Sequence, residues 1–355
     1  MSHITYLAEP KDGEKILEVL ESSPAKGSIE LLYTRRPDAY ESYKKESNNS
    51  NVLVVKEDNE IIGTAAEIIR SAYIGGEKKT LGYVCGIKKN GNYQGNVNWG
   101  KVIIRNLVKD DIDCYFCSIL DDNKSVQIMV EKKRRKTVNM NYIQGYTTYM
   151  LTPYFKFKVK DNGYEFRQAD KNDEQDIINF LNSEGSKKEF FPVFEKLNQF
   201  TNLNVEDFYI LKNKGEIIAT AALWNQVEYR QYIVKRYSGV MKFAKYLNPI
   251  LKMLGYIKLP KENEVINFPM LSFFISKDDN EEYYKAFLNN INKIIKKSYG
   301  MFVIGATKCS FANDIYKRLR SIHFDTRIYT IDFIIGNGKK HEIDKDKLWL
   351  ECGLL

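Results

Sequence analysis

The chain has 355 residues, of which 43% are hydrophobic and 28% charged, with a formal net charge of +8. That is about twice a typical domain of roughly 100–200 residues, with the balance of an ordinary globular protein rather than a disordered one. The longest apolar stretch, 265–275, contains an Asn and a Pro and falls short of the roughly 18 residues that cross a bilayer. No basic and apolar leader opens the chain, so a cytoplasmic protein without a membrane span is expected.

In chain order, a short strand near residue 4 leads into a helix with Ile16, Leu17 and Leu20 at helical spacing. Lys56-Glu-Asp-Asn-Glu-Ile-Ile-Gly-Thr-Ala-Ala66 reads as a β-hairpin: a strand ending at lysine, a polar turn, then a second strand. A strand over 81–87 carries internal glycines, which often mark a bulge or the close approach of a ligand. The stretch Gly91-Asn-Tyr-Gln-Gly-Asn-Val-Asn-Trp-Gly-Lys101 separates it from a helix over 98–109. A strand over 113–120, a helix over 124–134 and a strand over 140–151 then close the first sheet.

Cys114 and Cys117 form a C-x-x-C inside the strand 113–120. Residues three apart on a strand point to opposite faces, so core packing is expected rather than a metal or redox centre. The five cysteines are scattered and the three histidines lie far apart, which suggests neither a disulfide framework nor a metal site. The basic run 132–136 is read as a solvated helix end favoured by the helix dipole, with an anion site as the alternative. No zinc finger or aromatic RNA-binding pattern accompanies it, so no nucleic-acid partner is expected.

The hairpin recurs as Lys212-Asn-Lys-Gly-Glu-Ile-Ile-Ala-Thr-Ala-Ala222, identical at 7 of 11 positions and displaced by 156 residues (212 minus 56). More weakly, Ile4-Thr-Tyr-Leu-Ala-Glu-Pro-Lys-Asp12 parallels Glu165-Phe-Arg-Gln-Ala-Asp-Lys-Asn-Asp173. Each leads into a helix, the second carrying Ile177, Ile178 and Leu181. Two matched elements in the same order indicate duplication. The second half continues with a strand (265–275), helix (281–297), strand (301–306), helix (312–320) and strand (327–335). The expected organisation is a domain at 1–157, a polar linker at 158–163, and a domain at 164–355. Only the second carries an insertion near 239–256, an amphipathic basic stretch expected to pack on the protein rather than lie on a membrane.

This order of strands and helices, once per half, resembles the GNAT superfamily of acyl-CoA-dependent N-acyltransferases. The fold so implied is α/β: two tandem GNAT-like domains, each a mixed central sheet flanked by helices. In that family an Arg/Gln-x-x-Gly-x-Gly/Ala turn at a helix start holds the pyrophosphate of coenzyme A on backbone N–H groups. The matching residues are Gln94, Gly95, Asn96, Val97, Asn98, Trp99 and Gly100, with Val97 and Trp99 where the family has small residues. The resemblance also implies that Cys85, Gly86 and Ile87 bond the pantetheine arm, with Asn123 further along the site. The second half has no glycine turn. It has Ser276-Lys-Asp-Asp-Asn-Glu-Glu, whose acids are expected to fill the helix start and repel phosphate.

GNAT-type transfer is attack by an amine on a thioester, so the protein supplies positioning and proton removal. Glu67, beside the repeated Thr-Ala-Ala, and Asp121, at a strand end, are the candidate bases, with exposed strand residue and helix cap as the plain alternatives. Tyr316 falls on the tyrosine that many members use as general acid, with a core aromatic as the alternative. The expected function is transfer from acetyl-CoA or another acyl-CoA to a small-molecule or peptide amine. A non-catalytic binding or regulatory protein is the alternative, and a Fem-type aminoacyl transferase is a second one, made less apt by the absence of a long helical arm.

Overall fold

The computed structural model describes all residues except 1–2, 25–27, 108, 110, 132–137, 161, 240, 245–247, 249–252, 254–258 and 334–341. The basic run 132–136 and most of the insertion 239–256 lie outside the described residues. The first half comprises β1 (Ile4–Leu7), α1 (Gly13–Glu21), β2 (Ile29–Thr34), α2 (Ala39–Glu46), β3 (Ser50–Glu57), β4 (Glu60–Ile74), β5 (Glu77–Lys89), α3 (Trp99–Asn106), β6 (Cys114–Leu120), α4 (Lys124–Glu131) and β7 (Val138–Leu151). The second comprises β8 (Glu165–Gln168), α5 (Glu174–Gly185), β9 (Phe208–Asn213), β10 (Glu216–Trp224), β11 (Gln231–Tyr237), α6 (Met241–Ala244), β12 (Met270–Ser276), α7 (Glu281–Ser298), β13 (Phe302–Thr307), α8 (Phe311–Tyr316) and β14 (Ser321–Phe333).

The duplication is visible bond by bond. Asp58 and Lys214 hold the two hairpin turns in the left-handed region, each at φ 51°. The N–H of Ala8 donates to the Val52 carbonyl, and that of Ala169 to the Phe208 carbonyl. Asp12 accepts from the N–H of Glu9, and Asp173 from that of Asp170, which starts the first helix of each half in the same way. One substitution within the repeat has a clear reason: Gly63 lies under the Trp99 indole, where a Cβ would come within 2.8 Å of the ring.

A single twelve-stranded sheet runs β1-β3-β4-β5-β6-β14-β7-β13-β12-β10-β9-β8. It reads alike from either edge, except that the last strands have traded places. The strand 140–151 was expected to close its own half, but β7 pairs with β13 and β14 instead, while β14 pairs with β6. Each half therefore finishes the other's sheet. The exchange rests on pairing between β7 and β14 from Ser321↔Leu151 to Phe333↔Val138, a long antiparallel ladder with a rotational near-symmetry.

α1 and α2 cover one face of the first half, and α3 the other, over Val102, Ile103, Tyr115 and Cys117. α5 and α7 cover opposite faces of the second half. Cys117 packs in the α3-side core while Cys114 packs against the α1-side core, and burial pushes both thiols up to about 12. β2 and β11 form a separate two-stranded sheet that joins the halves on the α1 side.

Candidate functional site

β5 and β6 run parallel and share only Leu81↔Cys114, Gly82↔Tyr115 and Tyr83↔Phe116 before they part. Beyond Tyr83, β5 is held on one side alone, by β4. There the register slips between Thr64 and Ala66, so that Gly86 and Ile87 oppose a single residue in a bulge. Gly86 sits at φ +59°, and a Cβ there would come within 2.2 Å of the Tyr43 hydroxyl. Glycine is thus required twice over. The outer edge of Cys85, Gly86 and Ile87 faces the gap with its backbone groups unclaimed by β6, which is the arrangement an extended, amide-bearing ligand can complete.

The loop 94–100 lies at the start of α3. Among the described residues, no acceptor meets the backbone N–H groups of Gln94, Gly95, Asn96, Val97, Asn98 or Gly100. The Asn98 side chain caps Lys101, and Val97 and Trp99 turn inward against the α3-side core. The two large residues therefore leave the outer side of the loop clear. Gly95 is small for a different reason than a phosphate's approach: a Cβ there would meet the Tyr93 hydroxyl at 2.2 Å. Lys89 fastens the loop by donating to the Gly95 carbonyl at 3.0 Å.

The second half parts in the same way and then closes. β12 and β13 share only Met270↔Val303, and β12 bulges with Phe273 at φ +53°, the place of Gly86. The gap is narrowed by the chain itself. Glu351 accepts from the N–H of Phe273 (2.6 Å) and of Gly353 (3.0 Å), and Thr307 donates to the Leu348 carbonyl. A cavity of about 250 Å³ remains beside Phe274, Ser276, Thr307 and Glu351. At the start of α7 the N–H groups of Glu282 and Tyr283 are taken by the Asn280 side chain, not by the acids expected there. Asp278 and Asp279 instead pair with Lys187 and Lys188.

Comparison with known proteins fits this geometry. No protein-family model matches the sequence, and no similar sequence is found among curated proteins. Solved structures do match. Saccharomyces cerevisiae N-myristoyltransferase with bound myristoyl-CoA is similar at TM-score 0.58 and 10% identity, over 98% of this chain and 89% of that one. A GCN5-related N-acetyltransferase from Anabaena variabilis is similar at TM-score 0.54 and 7% identity, over 94% and 73%. A probable N-acyltransferase from Enterococcus faecalis gives 0.51 and 8%, over 94% and 73%. The fold is GNAT-like.

Within this GNAT fold the candidate side chains have different fates. Glu67 is not the exposed strand residue of the plain reading but fully buried, opposite Val84, the first residue of β5 beyond the β6 ladder. Asn51 donates to one of its oxygens at 2.7 Å and the other has no hydrogen-bond partner among the described residues, while burial pushes its pKa up. Asp121 is bound to Arg327 at 2.9 Å and to Lys124 at 3.2 Å, which holds its carboxyl low and leaves it a poor base. Asn123 caps α4 through Ser125 and Val126. Tyr316 is fully buried in the second half, its hydroxyl bonded to Tyr284 and its ring against Tyr149.

A cluster absent from the sequence reading lies beside the gap on the α1 side: Arg35, Glu46, Arg70 and Arg230, with Tyr43. One signal for it was present. Ala66, Ile68 and Ala72 face that core, and Arg70 shares their parity on β4. An arginine at a core-facing position asks for a partner.

Proposed function

We propose that the chain is an acyl-CoA-dependent N-acyltransferase, with acetyl-CoA as the simplest donor, whose cofactor lies in the first half. The observation that carries this is the contrast between the two gaps, one with its strand edge open at Cys85, Gly86 and Ile87 and one with its strand edge taken by the chain's own Glu351 segment. Residues 85–87 would hold the pantetheine arm and the N–H groups of 94–100 the pyrophosphate, which suits their unclaimed donors. When bound, the group supplies a thioester open to attack by an amine. The region 1–157 would be the cofactor-bearing unit and 164–355 a degenerate copy that walls the acceptor side. Five free thiols suit a reducing cytoplasm.

The chain's own part is to orient the amine and remove its proton. Glu67 is the best placed carboxylate, since it adjoins the point where the strands part and burial raises its pKa, which strengthens it as a proton acceptor. Asp121 and Tyr316 are already engaged, which favours Glu67 and leaves no tyrosine acid from α8. The occupied state of those two also supports the second reading, a protein that binds the ligand without turnover. Release of free thiol from acetyl-CoA, followed across a panel of amines, tests the proposal. Amine-dependent release supports it. Acyl-CoA binding with no release for any amine supports the binding reading, and absence of binding overturns both.

A further inference from the structure

The α1-side cluster holds an excess of positive charge away from water. Arg35 and Arg230 are 3% and 5% exposed, and Glu46, at 5%, is the acid paired with both, at 2.7 and 3.4 Å. Arg70 completes the group from β4, where its Nη1 donates to the Leu354 carbonyl at 3.3 Å. Arg230 gives further N–H groups to the Gly353 and Leu355 oxygens. Even if Leu355 is counted as carrying a carboxylate, three guanidinium groups face two negative charges among the described residues. Buried cations are stable only when paired and fully hydrogen-bonded.

The unmet donors show where a further negative group fits. Nε and Nη2 of Arg70 are buried and have no partner among the described residues. Those two atoms form one edge of the guanidinium, the edge that matches both oxygens of a carboxylate. Elsewhere in this chain Arg36 uses the same pair, Nε and Nη2, to hold the two oxygens of Glu21 at 2.7 and 2.8 Å. Arg35 Nε and the hydroxyls of Tyr43 and Tyr229 are also buried and unpartnered among the described residues. Arg70 itself and Cys85 keep part of their surface open, and the Tyr43 hydroxyl points at Gly86. The unmatched charge thus adjoins the point where β5 leaves β6.

We propose that this cluster is an acceptor subsite for amines that also carry a carboxylate, such as a free amino acid or a peptide with an acidic group near its amine. Arg70 holds the carboxylate through its Nε–Nη2 edge, so that the amine is directed towards the gap at Cys85 and Gly86. The proposal rests on the acyltransferase reading for the fate of the amine but not for the anion site. It makes the acceptor pocket a joint product of both halves, since Arg35, Glu46 and Arg70 come from one and Arg230 from the other.

The test uses the full chain and the twenty amino acids, each as free acid and as C-terminal amide. Thermal shift without any acyl-CoA reads binding, and thiol release from acetyl-CoA reads transfer. At least one free acid should raise the melting temperature while its amide does not, and its kcat/KM should exceed the amide's at least tenfold. R70Q and R70K should each abolish that preference while acyl-CoA affinity stays within twofold; R70K keeps the charge and loses only the planar edge. Equal behaviour of acids and amides, or a preference that survives both variants, overturns the subsite. Transfer lost for every amine with acid binding intact would refute the acyltransferase reading and leave the anion site standing.

Discussion

Asp173 shows how one repeated residue serves two ends. Its carboxylate takes Arg167 at 2.6 and 2.7 Å, the N–H of Asp170 at 3.0 Å and Lys212 at 3.4 Å. These contacts, Arg167 first, hold its pKa far below the usual carboxylate range. The stability it contributes is therefore full above about pH 4 and is lost as the pH falls towards the folded value. D173N should cost about 2 kcal/mol at pH 7 in denaturant unfolding, and the gap to the parent should narrow below about pH 3. Glu67 has the opposite sign: its raised folded pKa means that ionisation opposes folding, so its contribution declines as pH rises from about 4.3. E67Q should leave stability at pH 8 unchanged or slightly higher. If Glu67 takes the amine proton, kcat should fall by about 100-fold or more with acyl-CoA affinity unchanged. Equal kcat would remove it from the chemistry. At this scale the sequence was partly legible. Gly86 announced a bulge because a glycine within a strand has few other uses, whereas Asp121 and Tyr316 matched expected positions but are spent on Arg327 and Tyr284, partners distant in sequence.

The bulged strands β5 and β12 pose the same backbone demand and meet it differently. Gly86 adopts φ +59° freely, whereas Phe273 accepts φ +53° and is fully buried among Phe194, Phe200 and Trp224. G86V should lower stability by about 1–2 kcal/mol through the left-handed backbone alone, with a further loss from collision with Tyr43, and should weaken acyl-CoA binding at least tenfold. F273G relieves strain but empties a packed aromatic site, so a net loss of about 2–4 kcal/mol is expected. D278A with D279A breaks the pairs with Lys187 and Lys188 in the second half and should leave acyl-CoA affinity alone. The hairpins were legible because turn and strand pattern lie within a dozen residues. β2, α2 and β11 were missed because β2 and β11 pair with each other outside the main sheet, with β11 also bridging Val265 through Ile233. That gap in the reading also hid the arginine cluster they help to cover.

The exchange of β7 and β14 makes the two halves one folding unit, although the repeat reads as two consecutive domains. Nothing in the sequence marks it, since a strand's pattern records which faces are buried but not which strand lies beside it. Expressed alone, 1–157 would lack β14 on the open side of β6 and leave β7 without its ladder. Exposed edges of this kind aggregate, so either half alone should be insoluble and the two co-expressed should recover a soluble pair. The same architecture sets two equivalent gaps in one molecule, of which one is proposed to take coenzyme A and the other has its strand edge taken by the Glu351 segment. Calorimetric titration of the full chain with acetyl-CoA tests this most directly. One site per chain is predicted, lost in G86V and retained in D278A with D279A. Two sites, none, or one that survives G86V would contradict it.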